Sequence, residues 1–489
     1  MNVSISLQHP HEHYTNLDVI QGSVALRVHV PTSISSIIVK LEGESKTRLL
    51  APVHPSRPDK QRPVLEVHKF LYQTQTLFPP NVRPEELVAN PKASFAVGNG
   101  QYVYPFSFKI PLNTQCQPAN GPITNVSFSN AMPEFARAAT HHIKSTLPPS
   151  LAGFPGEAEI KYFVKVTVNL PQFYKENPRA IANFTMLPIE PPRPERADGE
   201  AYARRQHQFV DNAQSPPSPT LAGSVPPRVS IDARLPNPPI LTSNQDLPLR
   251  LLLKNVSERT KNIYLQMLQV ELIGYTKVRA HEVSRTESNS WILCSFSNMA
   301  IPVGSPSDAV DTETPINPEY WSGKPIPNTV PPTFATCNLA RHYELEIRVG
   351  LGYGSYKHGE DQLVVLPLRL PVKVYSGIAP PQALLEAVRT GERQNVKPHV
   401  HMMNAPPYPQ SQASYATNMP MQGSVAGGPH GPPGQPAHAA PPEGGHEDAP
   451  PSYEEAVGQG LPPINGYRGS YQPPPAPEGA PRFPDEHRR

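Results

Sequence analysis

Apolar and polar residues alternate with a period of two in many short runs, and these runs fall into two blocks of the chain. The first block covers residues 1–187 and the second covers residues 229–376. Successive side chains of a β-strand point to opposite faces of the sheet, so this period predicts antiparallel strands that are buried on one face. Many such strands, separated by Pro, Gly and Asn, predict an all-β chain of two tandem antiparallel β-sandwiches. The clearest runs are Val24, Leu26, Val28 and Val30; Ile37, Val39 and Leu41; Ile160, Tyr162, Val164, Val166 and Val168; Leu247, Leu249, Leu251 and Leu253; and Tyr343, Leu345, Ile347 and Val349.

Two motifs occur once in each block and in the same order. The first has the form V-x-L-x-G-x-x-K-x-R. The second is an apolar residue, two prolines and a hydroxyl residue, followed by a strand with an early tyrosine. This repetition predicts two related sandwiches. The matched segments are residues 39–48 and 270–279 for the first motif, and Leu147 to Ser150 with Tyr162 and Val330 to Thr333 with Tyr343 for the second.

The 66 prolines of the 489 residues are unevenly distributed. Residues 188–228 are rich in Pro, Ser and charge, which predicts a disordered linker that cannot bury much apolar surface. Within it, Ser215 and Ser218 each precede a proline and are candidate phosphorylation sites, with unmodified loop serines as the equal alternative. Residues 377–397 are expected to form a short helical or linker segment. Residues 398–489 contain so much Pro and Gly that a disordered tail is predicted.

The cysteine content, the charge balance and the distribution of apolar residues mainly exclude classes of function. Cys116, Cys294 and Cys337 are far apart and odd in number, which predicts reduced cysteines and no disulfide framework, metal site or cofactor. With 43 Lys and Arg against 41 Asp and Glu, the chain has no charge excess that would favour nucleic acid. The amino terminus lacks the pattern of a signal peptide, and no apolar run is long enough for a spanning helix. We therefore expect a cytoplasmic protein.

Five segments of the two blocks have a characteristic sequence: residues 16–24 (N-L-D-V-I-Q-G-S-V), 104–111 (Y-P-F-S-F-K-I-P), 147–150 (L-P-P-S), 274–276 (G-Y-T) and 331–334 (P-P-T-F). Together these segments resemble the arrestin family. The tail, with its proline-rich sequence and tyrosine motif, is similar to the alpha-arrestin branch of fungal type. That resemblance implies a non-enzymatic adaptor that binds cytosolic regions of membrane transporters or receptors and recruits a HECT-type ubiquitin ligase, so that cargo receives ubiquitin and is endocytosed.

The tail contains a P-P-x-Y motif formed by Pro450, Pro451 and Tyr453. The two prolines favour the polyproline II conformation, so less entropy is lost when the aromatic groove of a WW domain binds them, and Tyr453 reaches a second pocket. This motif is the predicted WW-binding site. A weaker variant, with alanine in place of its first proline, is a possible second site; it consists of Pro406, Pro407 and Tyr408.

Two alternatives to the ligase-recruiting adaptor remain open. One is a trafficking or signalling scaffold with an arrestin fold but no link to a ligase, in which Tyr453 has no role in cargo turnover. The other is a β-sandwich enzyme, which would need a pocket of convergent titratable residues. The sequence contains no lysine after Lys397, so ubiquitin could be accepted only by the preceding part of the chain or by the cargo. We expect the protein to be recruited peripherally to the plasma membrane or endosomes.

Overall fold

The structure, a computed structural model, describes residues 1–8, 12–54, 57–80, 94–116, 142–154, 156–172, 174–210, 227–259, 261–354, 362–387, 461–466 and 468–474. The regular secondary structure of these residues is almost entirely β-strand. The strands are β1 (Asn2–Leu7), β2 (Val19–Val28), β3 (Thr32–Ile34), β4 (Ser36–His54), β5 (Arg57–Phe78), β6 (Phe95–Val97), β7 (Gly100–Lys109), β8 (Leu151–Phe154), β9 (Ala158–Asn169), β10 (Arg179–Phe184), β11 (Glu200–Gln208), β12 (Arg228–Pro236), β13 (Ile240–Thr242), β14 (Arg250–Asn255), β15 (Ile263–Ala280), β16 (Val283–Phe296), β17 (Ile301–Pro302), β18 (Glu313–Pro315), β19 (Phe334–Ala335), β20 (Leu339–Tyr353) and β21 (Gln362–Tyr375).

The amino-terminal domain is a sandwich of two antiparallel sheets. One sheet has the order β1-β2-β7, and the other has the order β10-β9-β4-β5 with β8 beside β9. The predicted apolar faces point into its core, where Ile37, Val39 and Leu41 are completely buried. Val30 is an exception: β2 ends at Val28, and the Val30 side chain is 69% exposed. The alternating pattern of the sequence therefore extends two residues past the end of the strand.

The carboxy-terminal domain is a second sandwich with a larger sheet. Its four-stranded sheet has the order β11-β12-β14-β18, and the opposing sheet has the order β13-β21-β20-β15-β16, with β17 and β19 beside β15 and β20. Both predicted runs lie in this core, with Leu251 and Ile347 at most 1% exposed. The predicted all-β fold of two sandwiches is confirmed.

The sequence repeat corresponds to a repeated packing arrangement. Gly43 lies opposite Tyr162, and Gly274 lies opposite Tyr343. A Cβ atom on either glycine would be 3.0 Å or less from the facing tyrosine ring, so only glycine leaves room for the ring to lie across the neighbouring strand. Each tyrosine hydroxyl donates a hydrogen bond to a proline carbonyl of the second motif; the acceptor is Pro148 for Tyr162 and Pro331 for Tyr343.

The hydroxyl residue of the second motif makes the same pair of hydrogen bonds in both domains. The Ser150 hydroxyl accepts from the Met186 N–H at 2.9 Å, and the Ser150 N–H donates to the Met186 carbonyl. In the second domain, the Thr333 hydroxyl accepts from the Val374 N–H at 2.9 Å, and the Thr333 N–H donates to the Val374 carbonyl. Each motif thus closes its own sandwich in the same way.

The prediction of a disordered linker over residues 188–228 is wrong for its first part. Strand β11 pairs with β12 along nine residues, so it belongs to the carboxy-terminal domain, which begins before the predicted residue 229. The charged composition suggested a linker because β11 is an edge strand whose polar side chains face solvent. Arg204 there forms an ion pair with the buried Asp232 at 2.7 Å, and Phe209 just beyond the strand is completely buried.

The prediction of a disordered tail is wrong for residues 461–466 and 468–474. These residues lie against the folded domains, and Tyr471 is only 3% exposed. Residues 382–387, within the segment 377–397 that was predicted to be helical or a linker, are helical. Among the described residues, no helix combines the length and the apolar character that crossing a membrane requires.

Candidate functional site

The site residues singled out in the sequence lie outside the described residues. This applies to both predicted WW-binding motifs and to both candidate phosphorylation sites, so their roles stay predictions. They are Pro406, Pro407, Tyr408, Pro450, Pro451, Tyr453, Ser215 and Ser218. The described residues bring polar side chains together in three other places: where the carboxy-terminal segment contacts the domains, at the contact between the two domains, and in a cleft on the carboxy-terminal domain.

The carboxy-terminal segment is held at its centre by an ion pair. Both terminal nitrogens of Arg468 lie 2.7 Å from the two carboxylate oxygens of Asp18. Asp18 also accepts from the Thr15 N–H at 2.8 Å and is 2% exposed. A bidentate Arg–carboxylate pair with limited solvent access fixes geometry far better than an exposed pair of charges. Asp18 belongs to the N-L-D motif that carried part of the family resemblance.

The buried side chain of Tyr471 also holds this segment against the domains. Its ring joins a small apolar cluster between the amino-terminal domain and the chain that follows the last strand, and its hydroxyl donates to the Ser150 carbonyl at 2.6 Å. Burial raises the pKa of Tyr471, so the hydroxyl keeps its proton and remains a donor. The rest of the cluster consists of Leu112, Leu187, Ile189, Ile378 and Leu384, with Leu461 and Ile464 packed against it.

The segment contacts both domains. On the amino-terminal side, the Lys109 ammonium donates to the Leu461 carbonyl at 2.6 Å. On the carboxy-terminal side, the Asn244 side chain donates to the Ser470 carbonyl at 3.1 Å, and the Asn328 side chain donates to the Ser470 hydroxyl at 3.0 Å. Residues 461–474 therefore connect the two sandwiches on one face.

A network of buried polar side chains joins the domains directly. The Ser45 hydroxyl donates to the Asn338 side-chain oxygen at 2.6 Å, and the Asn338 amide donates to the Thr47 hydroxyl at 3.1 Å. Thr47 in turn donates to the Arg279 carbonyl at 2.5 Å. Ser45 and Thr47 lie on β4, whereas Asn338 and Arg279 belong to the second domain. Because buried polar groups are costly unless they are paired, these bonds favour one relative placement of the domains.

Glu66 is the charged centre of this contact. Its side chain is 1% exposed and forms an ion pair with Arg279 at 3.1 Å across the domain boundary. It also accepts from His68 Nε2 at 2.7 Å and from the backbone N–H of His281. Burial by itself would raise the pKa of Glu66, but the hydrogen bonds from His68 and His281 and the charge of Arg279 lower it. Glu66 is therefore a carboxylate that orients the groups around it.

Two cysteines and two histidines meet beside Glu66. The ligand atoms of His68, Cys116, His142 and Cys337 all lie within 4.8 Å of one another. His68 Nδ1 is 3.4 Å from Cys116 Sγ, which is 3.1 Å from His142 Nδ1. The backbone N–H of Ile143 donates to Cys337 Sγ at 3.4 Å.

These four side chains come from four separate segments that the fold brings together. His68 lies on β5. The Gln115 N–H donates to the Phe70 carbonyl at 2.7 Å, which places Cys116 beside that strand. The Ser145 hydroxyl donates to the Ala335 carbonyl at 3.1 Å, which joins the segment of His142 to the turn that contains Cys337. Three of the side chains thus belong to the first domain and Cys337 to the second.

The electrostatics of the cluster favour a thiolate. A hydrogen bond from the Cys116 thiol lowers the pKa of Cys337, against burial that would raise it, and His68 acts in the same direction. Burial by itself would lower the pKa of His68, but hydrogen bonds to Cys337 and Glu66 raise it. A thiolate beside imidazole nitrogens is a set of soft donors that a transition metal can use.

Sequence reasoning missed this cluster because it judged the cysteines by their spacing. Metal sites built in one loop or hairpin show short, paired spacings, whereas these ligands are assembled from distant segments. The argument from spacing against a metal site therefore does not apply. The cysteines are free in the structure, as predicted; Cys294 lies on β16, away from the cluster, and carries no role in it.

Arginine side chains line a shallow cleft on the carboxy-terminal domain, which has a volume of about 460 Å³. Arg348 and Arg369 flank the buried Glu346 at 3.1 Å and 3.4 Å, and Arg205 of β11 faces them from the neighbouring sheet. Glu271 also lies 3.8 Å from Arg348, so three guanidinium groups face two carboxylates and one positive charge is in excess. Arg369 is 57% exposed at its side chain and can reach a ligand.

The chain folds into two tandem β-sandwiches joined by buried polar side chains, with a carboxy-terminal segment in contact with both, and in sequence it is similar to arrestins. Residues 3–129 match the family model of the arrestin (or S-antigen) N-terminal domain. The chain is also 33% identical over 110 residues to arrestin-related trafficking adapter 10 of Lachancea thermotolerans, a match over 22% of this chain and 26% of that relative. The chain thus matches about a quarter of the relative's length. Both matches confirm the predicted resemblance to the alpha-arrestins.

Proposed function

We propose that this chain is a trafficking adaptor whose folded domains bind the cytosolic region of a membrane transporter or receptor and whose tail recruits a WW-domain HECT ubiquitin ligase. The observation that carries the proposal is an arrestin-like pair of sandwiches followed by a P-P-x-Y motif, which in the sequence shortly precedes the docked carboxy-terminal segment. The ligase arm would consist of Pro450, Pro451 and Tyr453. Cargo ubiquitination and endocytosis at the plasma membrane or endosomes would follow from proximity, without a catalytic residue in this chain.

The docked segment supports the proposal because it limits how far the motif can move from the body. Leu461 lies on the amino-terminal domain, and Tyr453 precedes it by eight positions. Eight extended residues span at most about 28 Å. A ligase bound at Tyr453 would therefore stay within reach of lysines on the folded domains and of a cargo bound to them. The tail itself offers no acceptor after Lys397.

A second, weaker WW-binding motif at Pro406, Pro407 and Tyr408 would add avidity. About 45 residues separate its tyrosine from Tyr453, and a flexible chain of that length has an average end-to-end distance of about 35–40 Å. Two WW domains of one ligase could bind both motifs, since the second contact would then be intramolecular.

The arginine-lined cleft is the site that we assign to cargo binding. Arg205, Arg348 and Arg369 can form charge-assisted hydrogen bonds with carboxylates of an acidic cytosolic segment. Two carboxylates oppose them: Glu346 is paired with Arg348 and Arg369, and Glu271 lies 3.8 Å from Arg348, so three guanidinium groups face two acids. Ser215 and Ser218 follow the strand that carries Arg205 by seven and ten residues in the sequence, so a phosphate on either serine would compete with an acidic cargo segment for this cleft if it reached the arginines.

The proposal is tested by the affinity of HECT-ligase WW domains for the full chain. We expect wild-type protein to bind with micromolar Kd and Tyr453→Ala to weaken binding by about tenfold or more, a change of about 1.4 kcal/mol. Tyr408→Ala should have a smaller effect. Tyr415→Ala is the matched control, because it removes a tail tyrosine that lacks the preceding prolines, and it should bind like wild type. Binding that does not depend on Tyr453 would favour the alternative of an arrestin-fold scaffold without a ligase link.

A further inference from the structure

We propose that His68, Cys116, His142 and Cys337 bind one Zn²⁺ ion that fastens the amino-terminal domain to the carboxy-terminal domain. The site would be structural and separate from the ligase-binding tail. It does not depend on the proposed function, because an arrestin-fold scaffold without a ligase partner would contain the same four side chains.

The spacing of the donor atoms suits a tetrahedral metal. Zinc binds sulfur at about 2.3 Å and imidazole nitrogen at about 2.0–2.1 Å, so neighbouring ligand atoms of a tetrahedron lie about 3.3–3.8 Å apart. The distances from Cys116 Sγ to the two imidazole Nδ1 atoms are 3.4 Å and 3.1 Å, and all four ligand atoms fall within 4.8 Å. Small rotations of the side chains would complete the tetrahedron.

The surroundings of His68 orient its ring for binding a metal through Nδ1. Its Nε2 lies 2.7 Å from the Glu66 carboxylate, which is held in place by Arg279 and the His281 backbone. With the Nε2 proton directed at Glu66, Nδ1 would offer its lone pair to a bound ion, and any proton on Nδ1 would leave to solvent when the ion binds. A carboxylate behind a metal-bound histidine is the usual outer partner of zinc sites, where it orients the ring and strengthens the ligand.

Charge balance also favours zinc. On binding, four bonds form, two Zn–S and two Zn–N, and the protons of the thiols leave to solvent. Two thiolates and two neutral imidazoles then neutralise the divalent ion, so the half-buried to buried cluster carries no net charge. Mixed sulfur and nitrogen donors select zinc over the oxygen-preferring Mg²⁺ and Ca²⁺. The Ile143 N–H that points at Cys337 Sγ would stabilise its thiolate.

The number and origin of the ligands decide the role of the ion. Four protein ligands leave no open position for substrate, which distinguishes a structural zinc site from a catalytic one. Because Cys337 is the one ligand from the second domain, the metal would join the sandwiches beside the Ser45–Asn338 and Glu66–Arg279 contacts. Loss of the ion should therefore loosen the relative placement of the domains more than it changes either core.

The first experiment is the metal content of the full chain purified with zinc and a thiol reductant. We expect about one Zn²⁺ per chain. Replacing zinc with Co²⁺ should give the visible absorption of a tetrahedral site and a thiolate-to-metal band in the near ultraviolet, a signature that needs no mutation. Wild-type protein that binds neither ion, or that contains a Cys116–Cys337 disulfide by mass under these conditions, would overturn the proposal.

Variants then assign the ligands. Cys337→Ser and His142→Ala should each lose the bound zinc, whereas Cys294→Ser, which changes the cysteine outside the cluster, should keep one ion per chain. Circular dichroism establishes that each variant is folded. Folded Cys337→Ser that retains one tightly bound zinc would show that the ion is bound elsewhere. Removal of zinc from wild type should also increase hydrogen exchange at the Asn338 turn, a change that Cys294→Ser should not produce.

Discussion

The two domains contain the same glycine–tyrosine pair but surround it with different neighbours. In the first domain, the Tyr162 ring packs edge-on against Phe70, with ring centroids 5.4 Å apart. In the second, the Tyr343 ring lies 6.3 Å from the Trp291 ring, and Arg341 adds a charge beside it: its Nε donates to the Tyr343 hydroxyl at 2.7 Å, and its Nη1 donates to Thr276 at 2.6 Å. The backbone arrangement is thus conserved between the repeats, whereas the electrostatics around the tyrosine differ. A duplicated fold can change its side-chain contacts as long as the glycine leaves room for the ring.

The carboxy-terminal segment is hydrogen-bonded to one of the two copies of the second motif, the copy that contains Ser150. Ser150 and Thr333 make equivalent hydroxyl and N–H bonds in their own domains. Only the Ser150 carbonyl also accepts a bond from Tyr471 of the tail. The first copy of the motif therefore serves as a docking point for the chain terminus, in addition to closing its sandwich.

The largest expected effect comes from removing either ring. Tyr162→Ala and Tyr343→Ala should each lower the free energy of unfolding of their own domain by about 3–5 kcal/mol, because each leaves a cavity in a close-packed core. Urea unfolding followed by circular dichroism measures the change. Tyr202→Ala, at a tyrosine that is 59% exposed on β11, is the control and should have little effect. Equal stability of wild type and the two core variants would contradict the common role of the rings.

Replacing the glycines should cost less. Gly43→Ala places a methyl group 2.8 Å from the Phe70 ring, and Gly274→Ala places one 2.8 Å from the Tyr343 ring. Both contacts are overpacked, so each variant should lose about 1–3 kcal/mol of stability. The same unfolding experiment applies, with Gly199→Ala as the control, because a Cβ there would meet nothing within 4 Å. Stabilisation by either core substitution would argue against the shared packing requirement.

Removing only the hydroxyl group sharpens the difference between the copies. Tyr162→Phe leaves the Pro148 carbonyl without this donor and should cost about 1 kcal/mol. Tyr343→Phe leaves both the Pro331 carbonyl and the buried Arg341 Nε without a partner, so we expect about 2–3 kcal/mol, since groups bonded to charge are more costly to leave unpaired. The ratio of the two losses tests the comparison. A larger loss at Tyr162 would contradict the role assigned to Arg341.

The smallest effect is expected at the tail. Tyr471→Phe removes the bond to Ser150 but keeps the ring, so the docked segment should lose about 0.5–1.5 kcal/mol of binding to the body. Hydrogen exchange of residues 461–474 measures this directly, because a weaker contact opens more often. Tyr415→Phe is the control in the same tail. Unchanged exchange in Tyr471→Phe would show that the ring alone holds the segment.

The sequence predicted the parts of the fold that depend on local pattern. Alternation identified the buried faces of runs such as Ile37 to Leu41, and the repeated motifs predicted both tyrosine positions, because strand period and glycine usage are local properties. Composition failed for β11 and for residues 461–474. Each has few apolar side chains of its own, and the stability of each comes from a partner surface, such as β12 or the cluster around Tyr471, that composition does not describe.

The zinc-ligand cluster could not be predicted for a different reason. Its four side chains lie on segments that are distant in sequence, and only the pairing of the domains brings Cys337 to Cys116. The predicted ligase-binding motif is the opposite case: the whole signal of Pro450, Pro451 and Tyr453 is local, so it can be recognised in the sequence without any structure.

The most direct test of the adaptor account is a reconstituted ubiquitination reaction. The full chain would be incubated with ubiquitin, its activating and conjugating enzymes and a HECT ligase with WW domains, and modified lysines would be identified by mass spectrometry. The account predicts ubiquitin on lysines of the folded domains, strongly reduced by Tyr453→Ala and unchanged by Tyr415→Ala. Equal modification of wild type and Tyr453→Ala would contradict it.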